Sequence, residues 1–412
     1  MAAPTPTAAP RRAALAFIYV TALLDMLAFG LAIPVLPFLY EELSGGQTHR
    51  AAEMAGFFGL AFAAMQFVLA PVLGSLSDRF GRRPVILLSN FGLAADYALM
   101  ALAPSLAWLF VGRVLAGITS ASFSTASAYV ADTAPPEKRA QAFGMLGALF
   151  SVGFILGPAL GGELGRANHR LPFWIAGGLS LANALYGIFV LPESLPRAQR
   201  TPFAWRRANP VGSLGLLRSS PVLLGLAGVA LLNNLGHDVN PHVFGFYAMD
   251  RYGFEEELVG RTLMAVGIGG VLVSGVLVGP IVRRLGERRA LLLGLASGTL
   301  GFGLQGWAPA ALWFWAGIPL INLWSLYGPA MQGLMVPRVG ASEQGQLQGA
   351  LQGLRGLCAL ATPLLYTQIF ARGSALVAGA PYWLAAGLVG AALLLALRAA
   401  APVPAAKLLE VD

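Results

Sequence analysis

The sequence predicts an all-α membrane protein with twelve transmembrane helices in two six-helix bundles. Of its 412 residues, 57% are hydrophobic and 11% are charged, whereas a soluble domain carries about 25% charged residues. Apolar runs long enough to cross the ~30 Å hydrocarbon core of a bilayer recur along the chain. A pattern of glycine, arginine and proline in the first half returns in the second half. These observations exclude a soluble enzyme and indicate a polytopic membrane protein.

The apolar runs form two groups of six on either side of a polar stretch. They cover about residues 14–40, 52–73, 85–103, 106–130, 140–163 and 172–192, then 221–249, 258–282, 290–307, 310–335, 345–371 and 378–399. The stretch between the groups contains three prolines and five arginines, which is typical of a solvated linker. We therefore predict an amino-terminal bundle over residues 1–192, a cytoplasmic linker over 193–220 and a carboxy-terminal bundle over 221–412.

The basic residues predict how the chain is oriented, because arginine and lysine are enriched in cytoplasmic loops. If the amino terminus is cytoplasmic, 19 of the 27 basic residues lie in cytoplasmic segments and six lie in external loops or at span edges. Both termini are therefore predicted to be cytoplasmic. Only two of the basic residues are lysine. This bias, with many alanines and glycines, indicates a GC-rich bacterial genome and hence the bacterial inner membrane.

The two halves are predicted to be structural repeats. Five residues of the first half recur in the second at one shared offset of 205 positions. The pairs are Gly74 and Gly279, Arg79 and Arg284, Gly81 and Gly286, Gly144 and Gly349, and Pro158 and Pro363. Repeated six-helix halves are typical of transporters that bind substrate near the bilayer midplane, at the interface between the repeats.

The loop between the second and third spans has the most specific local motif. Its residues are Gly74, Asp78, Arg79, Gly81, Arg82 and Arg83. The glycines permit a tight turn and close backbone approach, the acid can pair with an arginine or cap a helix, and the arginines can neutralise helix carboxyl ends. A loop that only obeyed the positive-inside rule would need neither the acid nor the glycine spacing. We interpret this loop as a gating latch.

This loop resembles the hallmark loop of the major facilitator superfamily. The resemblance extends through Asp25 to Pro37 in helix 1, Met65 to Gly74 in helix 2, Asp96 in helix 3, Gly112 to Gly117 in helix 4 and Gly153 to Gly162 in helix 5. It narrows to the drug/proton antiporter branch and its tetracycline exporters. The resemblance implies proton-coupled export of a small hydrophobic or amphipathic drug by alternating access.

Charged residues inside the apolar spans are candidate functional residues. A charge at mid-helix costs about 2.5–3.5 kcal/mol on insertion scales, so it normally faces a cavity or a partner. We expect Asp25 and Asp96 to face the cavity and contact a cationic or metal-chelated substrate, with Gln66 as a neutral hydrogen-bonding partner. Arg113 is expected to hold a neighbouring acid or polar group. The alternative for Asp25 is a structural pairing with Arg113, and Asp132 is expected to pair with the first-half loop.

Helix 5 combines small residues with a proline. Gly153, Gly157 and Gly161 are four residues apart and share one face, which permits close helix packing, and Gly162 extends this pattern. Pro158 removes one backbone hydrogen bond and permits a kink. Ordinary small-residue packing would explain the glycines too, but the resemblance implies a helix that seals one side of the cavity.

The second half departs from the tetracycline exporters, which carry a titratable histidine in helix 8 and an acid in helix 9. The corresponding residues here are Gly270 and Gly298, and neither can titrate. Helix 7 instead contains Asn234, His237 and Asp238 among other polar residues. One hypothesis is that His237 and Asp238 perform proton coupling, since histidine changes charge within the physiological range. The alternative is a wet external vestibule formed where Pro241 breaks the helix.

Helix 10 also departs, with aromatic residues where the exporters have small ones. Trp324 and Tyr327 are expected to pack in the core or against lipid, and if either faces the cavity, the pocket suits a flat apolar ligand.

Three function classes are compatible with these features. The first is a proton-coupled exporter, the second an uncoupled facilitator of another metabolite, and the third a non-transporting membrane sensor. We predict no enzyme activity, no cofactor, no metal and no nucleic-acid partner. The single cysteine, Cys358, excludes a disulfide framework and a cysteine-based metal site. The expected partners are a small-molecule substrate, protons and the lipid bilayer, with the monomer as the functional unit.

Overall fold

Every regular element that the computed structural model describes is helical, over residues 8–119, 122–203, 212–373 and 377–399. The helices of the first half are α1 (Ala8–Ala32), α2 (Leu36–Leu43), α3 (Thr48–Phe80), α4 (Arg82–Leu102), α5 (Leu106–Thr119), α6 (Ser122–Thr133), α7 (Arg139–Ala167) and α8 (Leu171–Val190). Those of the second half are α9 (Pro221–His237), α10 (Val239–Tyr252), α11 (Glu256–Leu272), α12 (Val278–Trp307), α13 (Ala311–Ala316), α14 (Ile318–Leu323), α15 (Tyr327–Met335), α16 (Gln344–Gly373) and α17 (Ala380–Ala399).

The helices coincide with the predicted apolar runs, which confirms the all-α membrane fold. Some runs are formed by two or three consecutive helices. Pro34 lies in the turn between α1 and α2, and Asp238 separates α9 from α10. The predicted fourth span passes through residues 120–121, and the predicted linker through 204–211, both outside the described residues. Within the described part of the chain, eight helical stretches are long and apolar enough to cross a membrane individually.

The outward apolar surface fits a lipid environment. Phe189 is 85% exposed, Leu312 71% and Leu394 65%. A soluble monomer rarely exposes contiguous apolar patches, whereas lipid tails solvate such side chains without cost. The chain is therefore a multi-pass membrane protein.

The chain divides into two compact units. Unit 1 contains Met1–Asn209, Phe244–Gly267 and Pro363–Ala371, and unit 2 contains Pro210–Val243, Ile268–Thr362 and Arg372–Asp412. In unit 1, α1 packs against α7 and α8, and α4 packs against α5 and α8. In unit 2, α17 packs against α9 and α12. Since unit 1 takes in parts of α10, α11 and α16, the division into bundles at residues 193–220 stays a prediction.

Two paired positions of the repeat share an unusual backbone feature. Gly81 has φ of 110° and Gly286 has φ of 75°, a region that favours glycine because a side chain would clash there. Gly81 separates α3 from α4, and Gly286 breaks α12 at the corresponding place. Pro158 lies inside α7 and Pro363 inside α16. The offset seen in the sequence therefore corresponds to shared turns and shared proline positions in the structure.

Candidate functional site

The loop after α3 is held by a cluster of opposite charges. Arg82 pairs with Asp78 and, at 3.1 Å, with Asp132 at the end of α6. Asp132 is therefore an ion-pair partner of this loop, as predicted. The Arg82 guanidinium also donates to the Ser77 hydroxyl at 3.0 Å. One arginine thus connects the end of α3, the start of α4 and α6.

Glu193, at the start of the predicted linker, completes this cluster and was not anticipated. Its carboxylate accepts the backbone N–H of Arg82 at 2.8 Å and of Arg83 at 3.3 Å. Backbone N–H groups at a helix start lack intrahelical partners, and the partial positive charge there favours an anion. A Cβ on Gly81 would overlap this carboxylate, so glycine is needed here for space as well as for φ. The other loop residues differ: Gly74 has open space around it, and Arg79 lies over the Phe80 ring at 5.1 Å.

Asp96 and Arg113 form a buried ion pair in unit 1. The Arg113 Nη2 to Asp96 Oδ2 distance is 2.7 Å, and the Asp96 side chain is 2% exposed. The same nitrogen lies 2.9 Å from the Met100 sulfur. A Cβ on Gly112 would lie 2.8 Å from Asp96 Oδ1, so the small residue beside Arg113 leaves room for its partner. Arg113 therefore holds Asp96, and Asp96 does not face an open cavity in this conformation.

Asp25 and Gln66 are placed differently from Asp96. Both are half-buried, on α1 and α3. Asp25 is close enough to Tyr97 on α4 to interact with it electrostatically, as are Asp96 and Arg113. The polar residues of α1, α4 and α5 thus converge around one tyrosine. The alternative for Asp25 is a structural pairing with Arg113, and the acid that pairs with Arg113 at 2.7 Å is Asp96.

The helix 5 motif lies in α7 and packs against α1. A Cβ on Gly157 would lie 2.6 Å from the Cα of Gly30, and one on Gly153 would lie 2.7 Å from the Cβ of Met26. Gly161 faces the backbone of Leu31 in the same way. The glycines four apart therefore allow backbone-to-backbone contact, as the sequence pattern predicts.

The opposite side of α7 packs against α11. A Cβ on Gly162 would overlap the backbone of Glu256, and one on Gly260 would overlap the carbonyl oxygen of Pro158. Sequence reasoning did not pair these helices, although the small residue Gly260 at the start of α11 was a signal for a close contact.

An ionic network surrounds this contact and was also missed. Arg261 pairs with Glu163 at 2.8 Å and with Glu257 at 2.6 Å, and Arg166 pairs with Glu257 at 3.0 Å. Exposed pairs of this kind each contribute little, about 0–1 kcal/mol. The signal in the sequence was the concentration of opposite charges at the end of α7 and the start of α11.

In unit 2, the break between α9 and α10 places a carboxylate among hydrogen-bonding partners. Asp238 Oδ1 lies 3.1 Å from His237 Nδ1, and Asp238 Oδ2 accepts the Thr362 hydroxyl of α16 at 2.8 Å. Thr362 Oγ1 lies 3.5 Å from His242 Nε2. His237 and Asp238 are therefore in contact, although their spacing alone did not require it. Thr362 and His242 belong to this cluster too, although the sequence pattern did not indicate them, and Asn234 is half-buried nearby on α9.

Trp324 is a core residue of unit 2 and does not line an open pocket. It is 7% exposed, and its indole N–H donates to Asn233 Oδ1 of α9 at 2.9 Å. Its ring lies 5.2 Å from the His237 ring and 5.4 Å from the Phe302 ring. A Cβ on Gly298 would lie 2.9 Å from the Trp324 ring. The space of a side chain at position 298 is therefore filled by tryptophan, which explains why that position carries none.

Residues 18–363 match the family model described as Major Facilitator Superfamily. The chain belongs to the Major Facilitator Superfamily. It is 37% identical over 385 residues to the tetracycline resistance protein, class C, of Escherichia coli, covering 93% of this chain and 94% of that protein. The class G tetracycline resistance protein of Vibrio anguillarum is 36% identical over 356 residues, covering 84% and 88%.

Solved structures agree with the superfamily fold. The human organic anion transporter MFSD10 (TETRAN) superposes with a TM-score of 0.69 at 26% identity, covering 95% of this chain and 100% of that chain. The nucleoside transporter NupG, at 12% identity, superposes with a TM-score of 0.74, covering 94% of this chain and 98% of that chain, and so shares the fold alone. As a superfamily member the chain is a small-molecule transporter, and its relatives are transporters and not enzymes. Among the described residues, no group of three or more histidine, cysteine, aspartate or glutamate side chains could hold a metal ion.

Proposed function

We propose that this superfamily member exports a tetracycline-like drug, or another small hydrophobic or amphipathic drug, in exchange for protons. The observation that carries the proposal is the charge arrangement of unit 1, where Arg113 neutralises Asp96 and Asp25 lies half-buried beside Tyr97. The similarity to two classes of tetracycline resistance protein over most of the chain supports the same substrate class.

Asp25 and Gln66 are the proposed substrate contacts. A carboxylate on α1 suits a cationic or metal-chelated drug, and an amide on α3 can donate and accept hydrogen bonds. Asp96 and Arg113 act as a fixed pair that keeps the site polar without net charge. If the drug or a proton reaches this pair during the cycle, the exchange of partners at Arg113 changes the packing of α4 and α5.

Alternating access is proposed to use the two contacts of unit 1 described above. The loop of Asp78, Arg82 and Asp132 acts as the cytoplasmic latch, and the contact of α7 with α1 and α11 acts as the external seal. This assignment places both termini in the cytoplasm of a bacterium, the protein in the inner membrane and the monomer as the working unit. The sequence bias of its basic residues supports that orientation.

The direct test is tetracycline uptake into inverted membrane vesicles from cells that express the chain. Respiration acidifies such vesicles, so an exporter should accumulate the drug inside, and an uncoupler should abolish the accumulation. Asp25→Asn should reduce uptake at least ten-fold, since the substrate loses its counter-charge. Vesicles from cells without the protein give the background.

The second candidate is an uncoupled facilitator, favoured by Gly270 and Gly298 at the usual titrating positions. A facilitator would equilibrate the drug at the same rate with and without the uncoupler. Drug binding without flux under any gradient would indicate a sensor and would contradict both transport proposals.

A further inference from the structure

The geometry of unit 2 points to a proton-coupling site built from Asp238, Thr362 and His242, in place of the titratable groups missing at positions 270 and 298. This inference rests on the proposed function, because a coupling site has meaning only in a proton-driven transporter. The site combines residues from the break between α9 and α10 with a residue of α16, and the sequence alone did not indicate that these helices are in contact.

Asp238 occupies a position where a proton can be exchanged. Its side chain is 18% exposed, and the neighbouring His237 side chain is 47% exposed. It follows α9 directly and precedes α10, at a break in the helix. An intramembrane acid that is neither deeply enclosed nor fixed by an arginine can lose and regain its proton during a transport cycle. Asp96, by contrast, is fixed by Arg113 at 2.7 Å.

Thr362 connects this carboxylate to a second titratable group. The threonine hydroxyl carries one hydrogen, which it donates to Asp238 at 2.8 Å. It can therefore only accept from His242, whose Nε2 lies 3.5 Å away. Thr362 is fully buried and directly precedes Pro363 inside α16. The hydrogen-bonded series runs from the exposed His237 through Asp238 and Thr362 to His242.

Among the described residues, two histidines and a threonine interact with the Asp238 carboxylate. His237 and His242 interact with Asp238 from the two sides of the helix break, and Thr362 donates to it from α16. Cys358, one turn earlier on α16, is also within electrostatic range, and it in turn interacts with Arg355. The positive groups are thus the two imidazoles when protonated, with the guanidinium farther along the helix.

The proton step conserves charge and needs no other reactant. A proton from water binds a carboxylate oxygen of Asp238, and the neutral acid no longer attracts the His237 imidazole or the Thr362 hydroxyl as an anion does. Release of the same proton to water on the other side restores the carboxylate and both hydrogen bonds. Because Thr362 adjoins the proline inside α16 and Asp238 separates α9 from α10, each protonation acts both at the helix break and beside this proline.

Trp324 explains why position 298 has no acid, where the tetracycline exporters carry one in helix 9. The tryptophan fills the space beside Gly298 and donates its N–H to Asn233 of α9. It therefore excludes an acid at position 298 and fixes the helix that precedes Asp238. The tryptophan beside Gly298 and the polar residues that follow α9 are therefore linked through the hydrogen bond between Trp324 and Asn233.

The test compares Asp238→Asn and Thr362→Val with the control Asp250→Asn, which makes the same change at an exposed acid on α10. In proteoliposomes, wild type and control should accumulate tetracycline against its gradient when a pH gradient is imposed. Asp238→Asn should lose that accumulation at least ten-fold and keep drug exchange in the absence of a gradient. Thr362→Val should shift the pH dependence of transport and retain a measurable rate. Gradient-driven accumulation at the wild-type level in Asp238→Asn would overturn the inference.

A second measurement needs no substrate, so it separates this inference from the proposed function. A protonated imidazole quenches indole fluorescence, and the His237 and Trp324 rings are 5.2 Å apart. The part of the emission that Trp324→Phe removes should differ between wild type and Asp238→Asn when the pH is changed, because the variant lacks the carboxylate that contacts His237 at 3.1 Å. The same pH response in both proteins would contradict the coupling site. If wild type moves no tetracycline while the two responses differ, the proposed substrate is wrong and the site remains supported.

Discussion

Asp96 and Arg113 are the residues on which the polar centre of unit 1 depends. Their side chains are 2% and 16% exposed and lie 2.7 Å apart. Removing one partner of such a pair leaves an uncompensated charge, at a cost of about 3–5 kcal/mol. We therefore expect Asp96→Asn and Arg113→Gln each to lower the melting temperature of the detergent-solubilised protein by several degrees.

The double variant Asp96→Asn/Arg113→Gln serves as the matched control, because it removes both charges together. It should melt closer to the wild type than either single variant, since neutral amides leave no unpaired charge. Additive losses in the double variant would mean that the two residues do not interact energetically. The same three variants tested for transport distinguish a structural pair from one that also takes part in the cycle.

At the scale of elements, the packing of α7 against α1 depends on the absence of side chains. Gly157 faces the Cα of Gly30 so closely that a Cβ would lie 2.6 Å from it. Gly157→Leu should therefore separate the two helices and abolish transport, while the protein still inserts in the membrane in normal amount. Drug uptake into vesicles, normalised to the quantity of protein, measures the effect.

Gly147→Leu is the matched control, since Gly147 lies on the same helix with open space around it. It should retain at least half of the wild-type uptake. Normal uptake by Gly157→Leu would show that close approach of α1 and α7 is not needed for the cycle.

The helices and their repeats could be predicted from the sequence, and most of their contacts could not. Apolar run length and the 205-residue offset depend on local composition and spacing, which a linear reading detects. The partner of Arg113 is 17 residues away, and the partner of Asp238 on α16 is 124 residues away. Such pairs depend on how helices pack, which spacing within one helix does not specify. The absence of a side chain at Gly298 is explained only by the ring of Trp324, which lies between α14 and α15 and fills the space beside it.

At the scale of the whole molecule, the two halves keep the same repeat and have diverged in chemistry. The first half retains the charge cluster of the loop after α3, the buried ion pair and the glycine face of α7. The second half keeps the turn at Gly286 and the proline at position 363. It has glycines where the family's titratable groups are expected, and its polar cluster lies instead at the break between α9 and α10. We infer that substrate contact belongs mainly to the first half and proton exchange to the second.

This division predicts that drug movement and proton movement are linked through Asp238. The most direct measurement uses proteoliposomes that enclose a pH-sensitive dye, with tetracycline added outside and no imposed gradient. Drug entry through an antiporter must carry protons out, so the interior should become alkaline in proportion to the drug taken up, and Asp238→Asn should abolish this change. Protein-free liposomes correct for passive entry. Tetracycline uptake by the wild type without any change in internal pH would contradict proton-coupled export.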